Sequence, residues 1–515
     1  LIKELSQRKE NRLTPSDLTF KGLSIEDLFR INNDDTIEDV YELSPLQQGL
    51  YYHWLVEESS SLYFMQTCYT LRAENLNIDN VRKAYQELVN RYDILRTSFS
   101  NDHNARLQIV HKEALVDFNH KILNRDETDP VSLAKIKQED ISRGFDLNKP
   151  TQMRLQVLDL GYDNYEFIWS HHHIVMDGWC MSILINDFSS ILNDLDKKQP
   201  ISLEKPVKYA NYIKWLSKVN KQTSLAYWKR YLDGFETATE LTFKNRKRTQ
   251  GQSANFKSES IYLEEELFEK IKETCNDFGI TKNTFIQGVW GYLLSRYNNS
   301  KDVVFGSVVS GRPADLAGVE NMVGLFSNTI PVRLKYDESA TVKDFLQKLH
   351  AEAIESSDFH YVSLAEVQSQ SSLGMELINN LVIFENYAVA DTLETDNKIN
   401  IENINVFDEL NYGFAITVKP SESSLEIEFR FDSNIFDIES IGKMKVHFEA
   451  ITHFFISKSQ TAIHLIDYLT QAEKQQLLVD FNDSKVDYPK DKTIIDLFEE
   501  QVDKTPDNIA VVFEE

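Results

Sequence analysis

Hydrophobic positions change their period several times along this chain. Residues 153–160 and 165–170 are rich in β-formers, and Gly161-Tyr162-Asp163-Asn164 lies between them, so the pair predicts a hairpin. From Gly178 onward the spacing becomes helical, with Leu184, Phe188, Ile191, Leu192 and Leu195 recurring on one side. Val81, Ala84, Tyr85, Leu88 and Val89 predict a helix ahead of Arg91, and 134–141 predicts another. Ser24 and Asp27 have the spacing of a helix cap. Later in the chain, helices are predicted over 224–232, 284–294 and 441–455, and strands over 258–263, 302–309 and 425–431. Residues 1–12 read as a charged helix, broken by Leu13-Thr14-Pro15-Ser16-Asp17. The polar, Pro-containing stretch 199–206 reads as a boundary between two mixed α/β halves. No short-period repeat is present, and the character changes again after Thr470.

Length and composition narrow the class. At 515 residues the chain exceeds one ordinary hydrophobic core, and 42% hydrophobic residues suffice for globular packing. No apolar run approaches the ~20 residues of a membrane span, and no secretory signal begins at Leu1. Both ends read as cut from something longer. Cys68, Cys180 and Cys275 are widely spaced, which argues against a disulfide scaffold or zinc ribbon and makes a reducing cytoplasm the default location. Cys180 reads as a small apolar residue opening a helix rather than as a nucleophile. The net charge of −26 disfavours nucleic acid as a partner. The local exception, Lys244-Asn245-Arg246-Lys247-Arg248, reads as a solvated loop or a contact for phosphate or a carrier protein.

The most chemically loaded stretch is His171-His172-His173-Ile174-Val175-Met176-Asp177-Gly178-Trp179, on the predicted strand-to-helix connection. Imidazoles transfer protons near neutral pH, and scaffold-held loops often carry chemistry. On an extended segment His171 and His173 would share one face and His172 the other, so a compact metal site is not expected. Asp177 is the natural residue to order the turn, directly or through an arginine. Gly178 allows close approach of the backbone to a ligand or a positive φ.

This run resembles the HHxxxDG motif of condensation domains from nonribosomal peptide synthetases, with His172 and His173 as the motif histidines and His171 as an extra residue. Further stretches resemble the family's other motifs in order: Leu43-Ser44-Pro45-Leu46-Gln47-Gln48-Gly49-Leu50-Tyr51-Tyr52-His53, then Arg91-Tyr92-Asp93-Ile94-Leu95-Arg96-Thr97-Ser98-Phe99, where Tyr-Asp stands in place of the commoner His-Glu. Tyr209 to Trp215, Ser310-Gly311-Arg312-Pro313 with Val323 to Arg333, His360 to Leu364, and Leu381 to Tyr387 complete the series, and the resemblance covers roughly 36 to 470. Beyond Thr470 the chain resembles the beginning of an adenylation domain.

The resemblance implies an α/β (α+β) fold of two chloramphenicol-acetyltransferase-like lobes arranged as a V around a central channel. It implies an upstream linker (1–35), an N-terminal lobe (36–205), a C-terminal lobe (206–470), and a linker with the start of an adenylation domain (471–515). A segment of the second lobe crosses over the channel in this family, and 324–329 is one candidate for it. The implied reaction is amide-bond formation between two thioester-bound acyl groups. His173 is expected to position the amine or act as its base, and the Gly178 N–H to face the developing oxyanion. His172 and Asp177 are expected to be structural, with Arg96 and Arg312 as candidate partners of Asp177. Trp179 is expected along the channel, and Ser327 and Asn328 are expected either to line it or contact a phosphopantetheine arm, or else to serve packing, whereas Tyr209, Tyr212 and Trp215 read as core aromatics. No bound cofactor or metal is expected. The implied partners are donor and acceptor carrier domains presenting phosphopantetheine arms, and an adjacent adenylation domain. Leu13 to Asp17 reads either as a turn or as the junction to an upstream epimerization domain, which would supply a D-configured donor. Rival readings are an epimerization domain, a silent module that only recruits carriers, and a stand-alone acyltransferase. The condensation-like first motif and the intact histidine run argue against the first two.

Overall fold

The computed structural model describes residues 13–32, 34–56, 62–101, 105–241, 254–385, 400–408 and 412–513. They divide into two compact units between Ile466 and Asp467. The readings of 1–12 as a helix and of 244–248 as a basic loop, and the last two residues of the Leu381 to Tyr387 stretch, lie outside the described residues.

In the first unit the chain runs through β1 (Ile37–Glu42), β2 (Phe64–Arg72), β3 (Thr97–Ser100), β4 (Leu107–His111), β5 (Asp117–Ile122), β6 (Met153–Gly161) and β7 (Asn164–His172). Its later part supplies β8 (Phe256–Leu263), β9 (Asp302–Val309), β10 (Asn328–Lys335), β11 (Leu381–Phe384), β12 (Asn400–Asp408), β13 (Phe414–Pro420) and β14 (Leu425–Asp432). They form a three-stranded sheet β1-β4-β3, a six-stranded sheet β10-β9-β11-β13-β14-β8 and a five-stranded sheet β12-β2-β7-β6-β5.

The predicted hairpin is β6–β7, paired antiparallel with Met153 opposite His171. β7 is buried along almost its whole length because helices cover both faces. Trp169 points to the face packed by helices Ile78–Arg91 and Gly178–Asp196, where its ring meets Tyr85 at 5.5 Å and Phe188 at 5.0 Å. Ser170 points the other way, to Asp140 of helix Pro130–Arg143. There the Asp140 carboxylate also takes Gln66 and Arg154, so a buried charge is fully paired. The helices expected over 224–232, 284–294 and 441–455 lie within Lys221–Leu232, Lys282–Tyr297 and Ile438–Ser457. Residues 13–17 form a turn closed by the Asp17 carboxylate on the Thr14 N–H and hydroxyl.

Two stretches from beyond the 199–206 boundary return to the first half. β12 leaves the six-stranded sheet and adds antiparallel to β2, with Asp408 opposite Met65. Residues Val319, Met322, Val323, Leu325 and Phe326 enter the same buried cluster as Trp169 and Phe188. The helix Ala210–Leu216 belongs there too, with Tyr209 and Tyr212 buried against Phe326 at 5.4 and 4.7 Å. The sequence offered 324–329 as the crossing segment. Residues 400–408 cross as a strand, while 319–326, which overlaps the offered stretch, docks as a single 3-10 turn (Val319–Asn321) followed by irregular chain.

In the second unit, helices Gln471–Leu478 and Ile494–Lys504 start with reciprocal caps, Thr470 with Glu473 and Thr493 with Asp496. No helix among the described residues is long and apolar enough to cross a membrane.

Where β12 departs, Arg430 of β14 donates to the Asp408 carboxylate at 2.6 Å and to its carbonyl at 2.9 Å. Arg430→Met strands that carboxylate. The expected result is amide exchange on the order of tenfold faster across 400–408, with 425–432 still protected. Unchanged exchange would show that the ladder to β2 holds the strand by itself.

Candidate functional site

The strand carrying the histidines runs two residues beyond the predicted 165–170 and stops just before His173. β7 ends at His172, and His173 opens a turn that runs to Asp177, where helix Gly178–Asp196 begins. The alternation of faces therefore holds for His171 and His172 and lapses at His173. His171 is 1% exposed and His172 4%, whereas His173 is only half-buried.

Backbone bonds fix the turn on every side. The His173 N–H donates to Tyr63 O at 2.8 Å, the Ile174 N–H to His172 Nδ1 at 3.1 Å, and the Val175 N–H to His172 O at 3.2 Å. His172 thus accepts on Nδ1, which keeps its proton on Nε2. Burial, and secondarily the charge of His173, pushes its pKa down to about 3, so it stays neutral and structural. Burial also holds His171 well below the usual imidazole range. The His173 side chain differs in being half-buried; its Nδ1, like that of His171, is enclosed and has no hydrogen-bond partner among the described residues.

Asp177 anchors the far end. One carboxylate oxygen accepts from the N–H groups of Phe326 and Ser327 at 3.2 and 3.3 Å. The other faces Arg312 at 3.5 Å, with both side chains 7% exposed. Arg312 donates onward to the carbonyls of Val319 and Met322 and lies over the Phe326 ring at 4.1 Å. The Asp177 N–H reaches Gly324 O at 3.4 Å, and the Cys180 thiol reaches the same carbonyl at 3.2 Å. Burial pushes that thiol far up, so Cys180 carries no thiolate. Trp179 donates its indole N–H to Glu320 O at 3.3 Å.

Several sequence expectations need correction. Arg96 does not meet Asp177; it pairs with Glu38 at 2.7 Å and with the carbonyl of His111, because the short helix Asp93–Arg96 aims it at β1 and β4. It lines a cavity of about 420 Å³ with Tyr92, Asp93, Lys205 and Lys208, and no residue of the histidine turn borders that cavity. Asn328 is buried with both N–H groups donated to the carbonyls of His360 and Val362, at 2.7 and 2.8 Å, leaving no donor for a channel ligand. Gly178 has no positive φ; it is the first helical residue, and its N–H has no partner among the described residues. Ser327 is half-buried, and its backbone N–H is held by Asp177.

The sequence reading missed two kinds of residue. Gly311 has φ +61°, and a Cβ there would sit 1.9 Å from Phe326 O; a Cβ on Gly324 would meet the Tyr209 ring at 2.1 Å. These close approaches let Arg312 and 324–327 lie against Asp177. Both glycines stood inside quoted motifs, but no spacing rule ties them to residue 177. Gln47 and Gln108, fully buried, donate and accept around the Ile174 carbonyl.

With this geometry in view, the comparisons with known proteins are decisive. The family model for the condensation domain matches residues 37–478. The chain belongs to the condensation-domain family of nonribosomal peptide synthetases. It is 36% identical to bacitracin synthase 3 of Bacillus licheniformis, over 93% of this chain and 8% of that one. It is 33% identical to gramicidin S synthase 2 of Brevibacillus brevis, over 93% of this chain and 11% of that one. The chain thus spans a small part of the length of these relatives. Among solved structures, it resembles a four-domain nonribosomal peptide synthetase bound to AMP and glycine, with TM-score 0.72, 17% identity, and coverage of 92% of this chain and 37% of that one. It also resembles the X-domain from teicoplanin biosynthesis, with TM-score 0.70, 18% identity, and coverage of 83% and 97%. The fold of this condensation domain is the mixed α/β, chloramphenicol-acetyltransferase-like one expected from the motifs.

Gly311→Ala forces both a left-handed alanine and a collision with backbone. A stability loss of about 2 kcal/mol or more is expected, read from the urea midpoint. His172 makes a signed pH prediction. Its folded pKa is about 3 and its unfolded one about 6.5, so between these values the unfolded chain binds the extra proton. The stability contributed by neutral His172 is present above about pH 6.5 and is lost as pH falls. Half-buried Glu385, raised to about 7 by burial, acts in the opposite sense, so the comparison with a variant isolates the histidine. Between pH 6.5 and 5.5 the wild type should lose about 1 kcal/mol more unfolding free energy than His172→Asn.

Proposed function

We propose that this condensation domain joins two acyl groups delivered as thioesters on the phosphopantetheine arms of a donor and an acceptor carrier domain. The acceptor's α-amine attacks the donor's carbonyl carbon. The C–N bond forms, the C–S bond breaks, and the thiolate of the donor arm departs. The proton leaving the amine passes to His173 Nε2 and from there to the thiolate or to solvent. The Gly178 N–H, at the positive end of its helix, stabilises the transient oxyanion. Trp179 and Ser327 stand beside the path of the arms. A thiolate leaves readily, so orienting the amine and removing its proton are the demanding tasks. Positioning contributes roughly 7 to 11 kcal/mol in favourable systems, and a general base ~10²- to 10⁴-fold.

One observation carries this reading: of the three adjacent histidines, only His173 is half-buried rather than buried, and it stands on a turn whose backbone is bonded on both sides. Burial keeps the other two neutral and enclosed. The adenylation domain that follows, and an epimerization domain upstream supplying a D-configured donor, belong to the same proposal.

A reconstitution with loaded donor and acceptor carriers, read by intact mass, tests it. His173→Ala should lower the condensation rate roughly 10-fold or more and leave the thermal midpoint unchanged, since the ring holds no polar partner among the described residues. Equal rates would remove His173 from the mechanism. Exchange of the donor's α-hydrogen with deuterated solvent, without a joined product, would indicate an epimerase instead.

A further inference from the structure

The His173 ring has no hydrogen bond among the described residues to aim it, so its direction is set by the peptides around it. Two of the four bonds on those peptides come from the local chain, His172 Nδ1 and His172 O, and a third from a distant backbone carbonyl, Tyr63 O. The fourth comes from a distant side chain. Gln47, on helix Pro45–Val56, donates from Nε2 to the Ile174 carbonyl at 2.9 Å. We propose that Gln47 is a positioning residue for condensation, holding the turn so that His173 Nε2 meets the attacking amine; this rests on the reading of His173 given above.

The surroundings of Gln47 are built for fixed orientation. Its side chain is fully buried, and its amide is saturated. The second Nε2 hydrogen goes to Gln108 Oε1 at 3.0 Å. Its Oε1 accepts from Gln108 Nε2 at 2.8 Å and from the Ser44 N–H at 2.9 Å. Gln108, equally buried on β4, spends its other hydrogen on Glu42 O at 3.0 Å. The two glutamines therefore form a reciprocal amide pair tied to β1 and β4. That pair presents a single hydrogen to the residue after His173. A rotation of the Gln47 amide would break four bonds at once in a buried environment, which makes the orientation stiff. The three-stranded sheet, which holds no reacting group, thereby sets the height of the turn.

A buried glutamine also stabilises the fold, so the test must separate that role from positioning. Single-turnover condensation is measured for wild type, Gln47→Met, His173→Ala and the double variant, with matched carriers and with acceptor concentration varied. Gln47→Met should lower the maximal rate roughly tenfold, as expected when a reacting group is misplaced by a fraction of an ångström to an ångström. The acceptor concentration for half-maximal rate should stay within twofold. In the His173→Ala background the same change should cost less than twofold, because there is no imidazole left to misplace. Gln47→Glu, which keeps the volume and the acceptor oxygen, serves if the methionine variant does not fold, with the same expectations. A rate within twofold of wild type overturns the proposal. So does a loss carried by half-saturation, or an equal loss with and without His173. If His173→Ala itself condenses normally, the assignment of His173 fails, which is a separate outcome.

Discussion

The site depends on how the Asp177 carboxylate is satisfied. It lies at the start of a helix, yet it does not cap that helix; its oxygens turn away to the N–H groups of Phe326 and Ser327 and to Arg312. Removing a buried carboxylate from water is costly, and leaving it half-paired is costlier still. Here two backbone donors and a guanidinium share it, and the guanidinium in turn holds two carbonyls of 319–322. The chain on both sides of the boundary near residue 200 is therefore locked at the point where the histidine turn ends. Gly311 and Gly324 follow from this arrangement: the segments cannot approach residue 177 if either carries a side chain.

The polar bonds of the turn form a sequence from outside inward. The amide pair of Gln47 and Gln108 holds Ile174, His172 holds Ile174 and Val175, and Tyr63 holds His173. Each of these groups is buried or half-buried and neutral. Of the three histidine side chains, the one left half-buried is the one the proposed chemistry needs. Preorganised sites have this character: the surrounding dipoles are committed before substrate arrives, so little reorganisation is left for the reaction itself.

Much of this was legible in the chain because it rests on local rules. Period-two and helical spacing found β6, β7 and the helix after Gly178, and strand 302–309 was read to the residue. The histidine motif and its aspartate stood in plain sight. Partnerships across the fold were less readable. Arg96 and Arg312 look alike as motif arginines, and only the direction of a short helix sends one to Glu38 and the other to Asp177. Asn328 sits beside Ser327 but faces the 360–362 loop. Gln47 looked like part of a signature, and its task depends on a carbonyl more than a hundred residues away. β12 escaped detection because it is an edge strand of polar sequence, with Asn405, Val406 and Phe407 exposed.

That edge strand has a bearing on how the protein is made. When β2 and β7 emerge from the ribosome, the segment that will pair with β2 has yet to be translated, by some 230 residues of chain. The nascent N-terminal sheet thus waits with a row of bare N–H and C=O groups, a surface open to wrong pairing, at synthesis speeds of about 5–20 residues per second. An exposure lasting on the order of half a minute gives ribosome-associated chaperones a defined stretch to guard.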